Sequence, residues 1–288
     1  MTQHSSEETP SPYFPDVESS AETARLQAQG RLLTKYSGGI LPEFPLERFR
    51  NVLDIACGPG DWALEYAFQS PQSNVIGIDI SKKMIGNAQA QAQAQGLENA
   101  TFRAMDATHP LAFPNASFDL INARAIAGML PAALWPNFMQ ECKRLARPGA
   151  LIRLTETDNW GLTSSRAYEE LNRLTYQAAK RAGLGFSPDG NTFGVTNRLK
   201  WLLQLAGCQH IEARSFHIDF SWGTEGLMPW YRNFASYFLN VKEKLIERQA
   251  ITPERFEELF HQFTLDMRDN PDFYGISYFL TAWGEVPS

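Results

Sequence analysis

Short apolar runs alternate with longer amphipathic stretches along most of the 288 residues. Asn51–Ala56 (NVLDIA) is a compact apolar run that ends in Gly58-Pro59-Gly60 and reads as a buried strand. Asp61 stands where it can cap a helix running to Gln69. Residues 74–80 (NVIGIDI) form a second buried strand. Ser81 caps a helix to Gln95, which Gly96 closes. The Ala-Gln alternation from Ala88 to Gln95 suits a solvated helix face, because both residues favour helix. Residues 101–105, 118–123 and 150–157 read as three further strands, with a helix over 131–146 that stops before Arg147-Pro148-Gly149. This strand–helix order predicts an α/β fold with a doubly wound, mostly parallel sheet. Right-handed crossovers would place helices on both faces.

The flanks are more helical. Residues 1–20 are polar, acidic and interrupted by Pro10, Pro12 and Pro15, and read as a loose arm. A helix begins near Ser20 and is stopped by Ser37-Gly38-Gly39. After residue 157 the pattern predicts helices over 164–182, 196–206, 226–249 and 253–268, a sixth strand over 210–220 and a last strand over 274–283. With no internal repeat or linker, the expected organisation is an N-terminal arm and cap helix over 1–45 and one domain over 46–288. Helical lid insertions are expected at about 160–195 and 224–270.

Charge and cysteine content narrow the function classes. Lys and Arg total 26 against 32 Asp and Glu, a formal charge of −6. Nucleic acids and acidic membranes need a dense basic face, so neither is the expected partner. Cys57, Cys142 and Cys208 are far apart and form no C-x-x-C pair, as expected of reduced thiols in a cytoplasmic protein. No run of 18 apolar residues and no secretory signal occurs. The phosphate-binding G-x-x-x-x-G-K-[ST] is missing, as are G-x-S-x-G and H-E-x-x-H. The five histidines are scattered, so no metal is expected.

The chemistry concentrates at Gly58-x-Gly60-x-x-Ala63, which follows a strand and opens a helix, with Asp79 21 positions after Gly58. Glycines let a ligand approach the backbone, helix N–H groups receive an anion, and a carboxylate at the next strand end accepts from ribose hydroxyls. An adenosine-containing cofactor is expected. By this motif alone a nicotinamide dinucleotide remains open.

Leu53-Asp54-Ile55-Ala56-Cys57-Gly58-Pro59-Gly60 resembles the first motif of class I S-adenosylmethionine (SAM)-dependent methyltransferases. Ile78-Asp79-Ile80-Ser81 with Met84 is similar to the second motif, and Met105-Asp106-Ala107 to the third. Phe113-Pro114 with Phe118-Asp119-Leu120-Ile121 is similar to the segment entering the fourth strand. The resemblance covers about residues 50–157 and implies a seven-stranded Rossmann-like sheet with its last strand antiparallel. It implies SAM as cofactor and S-adenosylhomocysteine (SAH) as product. Asp54 and the Ala56–Gly60 backbone, including Cys57 and Gly58, would lie near the amino acid end. Asp79 would accept from the ribose, and Ile80 and Met84 would pack on adenine. Asp106 and Ala107 would read the adenine edge. An acid after the third strand has no place in the dinucleotide motif, so Asp106 favours SAM. Arg124, at the rim after the fourth strand, could pair with a carboxylate.

A small-molecule methyl acceptor is expected, because the amino-methylating DNA enzymes of this fold carry Asn/Asp-Pro-Pro-aromatic where this chain has Asn122-Ala123-Arg124-Ala125. Lid candidates are the N-terminal segment, with Tyr13, Arg31 and Tyr36, and the aromatic stripe that includes Trp230 and Phe234. Trp160 is a further pocket candidate. The stripe suggests an apolar or aromatic acceptor. His217, with Asp219 on the same face of its strand, and Tyr36 are candidate bases if the acceptor is a hydroxyl. A non-catalytic SAM-binding regulatory protein is the remaining alternative.

Overall fold

A computed structural model describes residues 19–287. The Tyr13 and residue 1–18 expectations lie outside the described residues. Eight strands form one mixed sheet, β1 (Asn51–Ile55), β2 (Asn74–Asp79), β3 (Ala100–Ala104), β4 (Phe118–Arg124), β5 (Ala146–Glu156), β6 (Leu162–Thr163), β7 (Gln209–Asp219) and β8 (Gly275–Glu285). The order runs β3-β2-β1-β4-β5-β8, with β7 on the far edge of β8. The first five strands are parallel, and β8 is antiparallel to both β5 and β7. The expected seven strands are therefore joined by an eighth. The two-residue β6 pairs with Gly275 and Ile276, below the part of β8 that β5 occupies. Two residues carry no periodicity, so the pattern could not reveal β6.

The helices are α1 (Ser20–Ser37), α2 (Asp61–Gln69), α3 (Lys82–Ala94), α4 (Trp135–Leu145), α5 (Arg166–Arg181), α6 (Leu199–Leu205), α7 (Leu227–Glu247) and α8 (Pro253–Arg268). β1 and β4 are buried almost throughout, because helices cover both faces of the central sheet. One core lies beneath α4 and α6, and a second beneath α2 and α3. A third, largely aromatic core joins α5, α7 and α8 to β7 and β8. The α1 helix packs across α2 and α7. It runs to Ser37, beyond the apolar pattern, and closes on Gly38 in the left-handed conformation with Ser19 as its N-cap.

The cap of α2 differs from expectation. Gly60 (φ 89°) is the N-cap, and Asp61 is the first helical residue. A Cβ at Gly60 would lie 2.8 Å from the Ala88 Cβ, so the left-handed turn and the packing of α3 both require glycine there. This one-residue shift puts the Asp61 carboxylate beside the first turn of α2 instead of across its end.

Candidate active site

The C-terminal ends of β1, β2, β3 and β4 open into one cavity of about 500 Å³, roofed by α1, α5 and α7. An open α/β sheet places ligands there, because the strand order reverses between β1 and β4 and the helices diverge. Two residues beside the opening are strained. Ala56 after β1 and Ala125 after β4 take φ of 55°, which L-residues with a Cβ rarely adopt.

The turn after β1 is held from below. Cys57 N–H donates to the Ile78 carbonyl, and Gly58 N–H donates to Asp79 Oδ2 at 2.9 Å. Asp79 Oδ1 accepts from Ser81 N–H at 2.9 Å. Burial raises the Asp79 carboxyl above its usual range, against the opposing effect of those backbone bonds. Ile80 lies next to it on the cavity wall, with 54% of its surface exposed, while Met84 lines the same cavity from the first turn of α3. An exposed isoleucine at a cavity mouth offers an apolar face to a flat ligand.

Asp106 is already engaged. Its Oδ1 accepts from the backbone and hydroxyl of Thr108, and its Oδ2 pairs with His109 Nδ1 at 3.1 Å. Burial alone would raise its carboxyl, but the Thr108 and His109 interactions outweigh that and lower it. Thr108 and His109 line the cavity as well. Sequence reading passed over both, because His109 counted only as one of five scattered histidines.

A polar row crosses the sheet below the cavity. Asp54, Asn122 and Arg153 occupy paired register positions on β1, β4 and β5, so their side chains share one face. Asn122 Nδ2 donates to Asp54 Oδ1 at 2.8 Å, and Arg153 Nη1 donates to Asn122 Oδ1 at 2.9 Å. Arg153 then meets Glu43 at 3.2 Å, with both side chains buried. Burial pushes the Asp54 carboxyl up to about 6, despite the opposing influence of Arg124, Asn122 and Arg153. Of the row, only Asp54 lines the cavity and was expected as a site residue. Cross-strand partnership, not sequence spacing, recruits Asn122 and Arg153.

Asp61 and Arg124 complete this end. Burial lowers the Arg124 guanidinium to about 10, while Asp54 and Asp61 favour its charged form. Its Nη1 donates to Thr34 of α1 at 3.2 Å. Burial raises Asp61 to about 6, against Arg31 and Arg124, and its Oδ2 is buried with no hydrogen-bond partner. A carboxylate with an unmet acceptor beside a helix N-terminus competes with any bound anion and suits a cation. Four carboxylates, Asp54, Asp61, Asp79 and Asp106, line this half of the cavity.

The other half is apolar. Met129, Leu130, Leu134 and Phe138 follow β4, Trp160 follows β5, Ala179 comes from α5, and Phe234 and Tyr237 from α7. Trp160 and Phe234 rings lie 6.3 Å apart. Of the aromatic stripe, Trp230 does not reach the cavity. It is wholly buried against Phe220, Phe234 and Phe279 in the third core. Gly60 is likewise behind the wall, in the turn.

Three other expected residues stand apart. Arg31 is exposed at the rim, 4.0 Å from Asp61, and does not line the cavity. Tyr36 lies one helical turn beyond the cavity-facing Leu33, near Glu225 and Asp219. His217 is exposed on β7, beside Tyr278 of β8, on an outer part of the sheet. The structure therefore does not bring His217 or Tyr36 to the cavity. Alternation along a strand gave His217 and Asp219 a common face, but only the sheet order shows that this face lies away from the switch point.

Comparison with known proteins accords with this geometry. Residues 52–149 match a family described as a methyltransferase domain. Nocamycin O-methyltransferase of Saccharothrix syringae is 28% identical over 224 residues, covering 73% of this chain and 77% of that protein. Both matches are to methyltransferases and support a class I SAM-dependent methyltransferase. Other curated relatives, such as trans-aconitate 2-methyltransferase of Azoarcus sp. strain BH72, are matched over about half their length, 51% in that case. Among solved structures, the YcgJ protein of Bacillus subtilis aligns over 91% of the enzyme and 99% of its own chain, with a TM-score of 0.53 and 17% identity. The 4+2 cyclase SpnF aligns over 96% of the enzyme and 88% of its own chain, with a TM-score of 0.52 and 18% identity. These two likenesses are of fold alone, and a cyclase among them means the fold does not by itself fix the reaction. No helix among the described residues is long and apolar enough to cross a membrane.

Proposed function

We propose that the enzyme methylates a small, largely apolar or aromatic molecule inside the cavity. The observation that supports this most is the division of a single cavity into an acid-lined half and an apolar half. SAM, when bound, supplies a sulfonium methyl group open to in-line displacement. Its sulfonium and ammonium charges suit the acid-lined half, and the orphaned Asp61 Oδ2 is the acceptor such a cation would meet. In this reading Arg124 pairs with the cofactor's carboxylate, while Asp54 and the Ala56–Gly58 backbone line the methionyl end. Asp79 has remaining lone pairs for the ribose hydroxyls. Ile80 and Met84 flank the adenine, with Asp106 and Ala107 at its edge.

The apolar half then holds the acceptor and excludes water, so its nucleophilic atom is aligned and poorly solvated. No base is assigned to the transfer. The same acid-lined half argues against a nicotinamide dinucleotide, whose pyrophosphate would face Asp61 at the helix N-terminus that it needs. An acceptor-sized apolar space beside the cofactor half argues against a purely regulatory SAM-binding role.

Titration calorimetry with SAM, SAH and NAD tests the reading, followed by SAH release with panels of phenols, carboxylates and amines. Micromolar SAM and SAH affinity, no NAD binding and turnover of an apolar or aromatic member are expected. NAD binding alone, or turnover confined to highly polar acceptors, would overturn it.

A further inference from the structure

The roof of the cavity contains a polar cluster that joins α1 to α7. Arg25 of α1 forms a two-pronged ion pair with Glu22, with Nε–Oε2 at 2.8 Å and Nη2–Oε1 at 2.6 Å. Its Nη1 also donates to Gln29 Oε1 at 2.6 Å and to Asn233 Oδ1 of α7 at 3.0 Å. Asn240, two turns along α7, donates to Glu22 at 2.8 Å. The Arg25 guanidinium also lies over the Tyr237 ring, 5.4 Å from its centroid. Arg25, Gln29, Asn233 and Tyr237 all line the cavity.

One member of the cluster is left incomplete. Asn233 is 3% exposed, and its Nδ2 has no hydrogen-bond partner. The Arg25 bond fixes which end of the amide is oxygen, since a flipped amide would set N–H against a guanidinium that can only donate. Asn233 therefore keeps a buried, unmet donor in the cavity wall, next to Phe234 and Tyr237 of the same helix. Leaving such a donor unmet is costly, so a ligand oxygen that reaches it is strongly favoured over a ligand without one.

We propose that Asn233 is a specificity-determining residue for the methyl acceptor, and that its amide donates to a neutral carbonyl or hydroxyl oxygen on an aromatic or apolar body. This rests on the reading that the apolar half holds the acceptor. The oxygen is neutral because Glu22 already balances the Arg25 charge, so the cluster offers no net positive charge to a carboxylate.

Acetophenone, ethylbenzene and benzoate are the probes, titrated into the full chain saturated with SAH. The first two differ chiefly in the carbonyl oxygen. The wild type should bind acetophenone about 10-fold or more tightly than ethylbenzene, with benzoate no better than acetophenone. Asn233→Leu removes the donor, and Asn233→Asp keeps the oxygen facing Arg25 while replacing the donor by an acceptor. Either folded variant, judged by its thermal melt, should reduce the preference to about 2-fold or less. Equal binding of acetophenone and ethylbenzene by the wild type, a preference that survives in a folded variant, strongest binding of benzoate, or binding of none of the three would overturn the assignment. The SAH titration in the same samples separates the two levels. An enzyme that binds SAH but fails these tests refutes the role of Asn233, whereas one that does not bind SAH refutes the reading beneath it.

Discussion

The two halves of the cavity are built in different ways. Apart from Arg124, the acid-lined half comes from residues 54–109, at the ends of strands or in the first turns after them. Its side chains are fixed by short-range backbone bonds, such as Gly58 and Ser81 on Asp79 and Thr108 on Asp106. The apolar half is assembled from α5, α7 and the loops after β4 and β5, which are far apart in sequence, and α1 roofs the cavity. Its polar members reach one another only across helices, as Arg25 reaches Asn233. A cofactor shared by many enzymes suits a local, rigid scaffold. An acceptor peculiar to each suits a roof of packed helices, whose faces change without disturbing the sheet.

That contrast can be broken by experiment. The largest effect is expected from Asp79→Ala. It frees two backbone N–H groups and removes the proposed ribose acceptor, so SAM affinity by calorimetry should fall about 100-fold or more. The thermal melt should shift by only a few degrees, because the strand itself is unchanged. Unchanged affinity would mean that the cofactor half is not organised as described.

A smaller effect, set by pH, sharpens the electrostatic side. Burial raises Asp61 and Asp54 to about 6, above the usual carboxylate value. For a raised acid the folded state binds the proton more tightly, so these groups favour the fold as pH falls from about 6 toward the unfolded value and oppose it above 6. Cation binding runs the other way, since it needs the ionised form. SAM affinity should therefore weaken about 10-fold between pH 7.5 and pH 5. Asp61→Asn should bind more weakly at pH 7.5 and show a shallower dependence. A variant with the wild-type profile would remove Asp61 from the cationic site.

The smallest effect is expected at His217. It is exposed on β7 and distant in the fold from the cavity. His217→Ala should change stability by no more than about 0.5 kcal/mol and leave the turnover of any accepted substrate unaltered. A large loss of turnover would mean that the acceptor half extends over the outer sheet.

The same contrast explains which residues could be read from the chain. The parallel strands, the turn at Gly58 and Asp79 stand at intervals that a strand–turn–helix imposes, while Asp54, Ile80 and Asp106 were expected from the family resemblance, and all four side chains line the cavity. Trp230, Phe234 and Tyr237 also follow one helical period, but periodicity shows that a face is buried and not what it is buried against. Only packing separates Trp230, sealed among Phe220 and Phe279, from Phe234 and Tyr237 at the cavity wall. Asp61 changes meaning through a single residue of capping, with Gly60 taking the cap.

The chain by itself determined the α/β order, the Gly58 turn and the acid at the end of β2, because those depend on interactions within a few tens of residues and on the fixed geometry of a parallel crossover. Tertiary structure alone decided the Glu43–Arg153–Asn122–Asp54 row, the roof formed by α1 and α7, and the unmet donor of Asn233. Each joins residues whose separation in sequence carries no period, and hydrogen bonding between them begins only once helices and strands have packed and water has left.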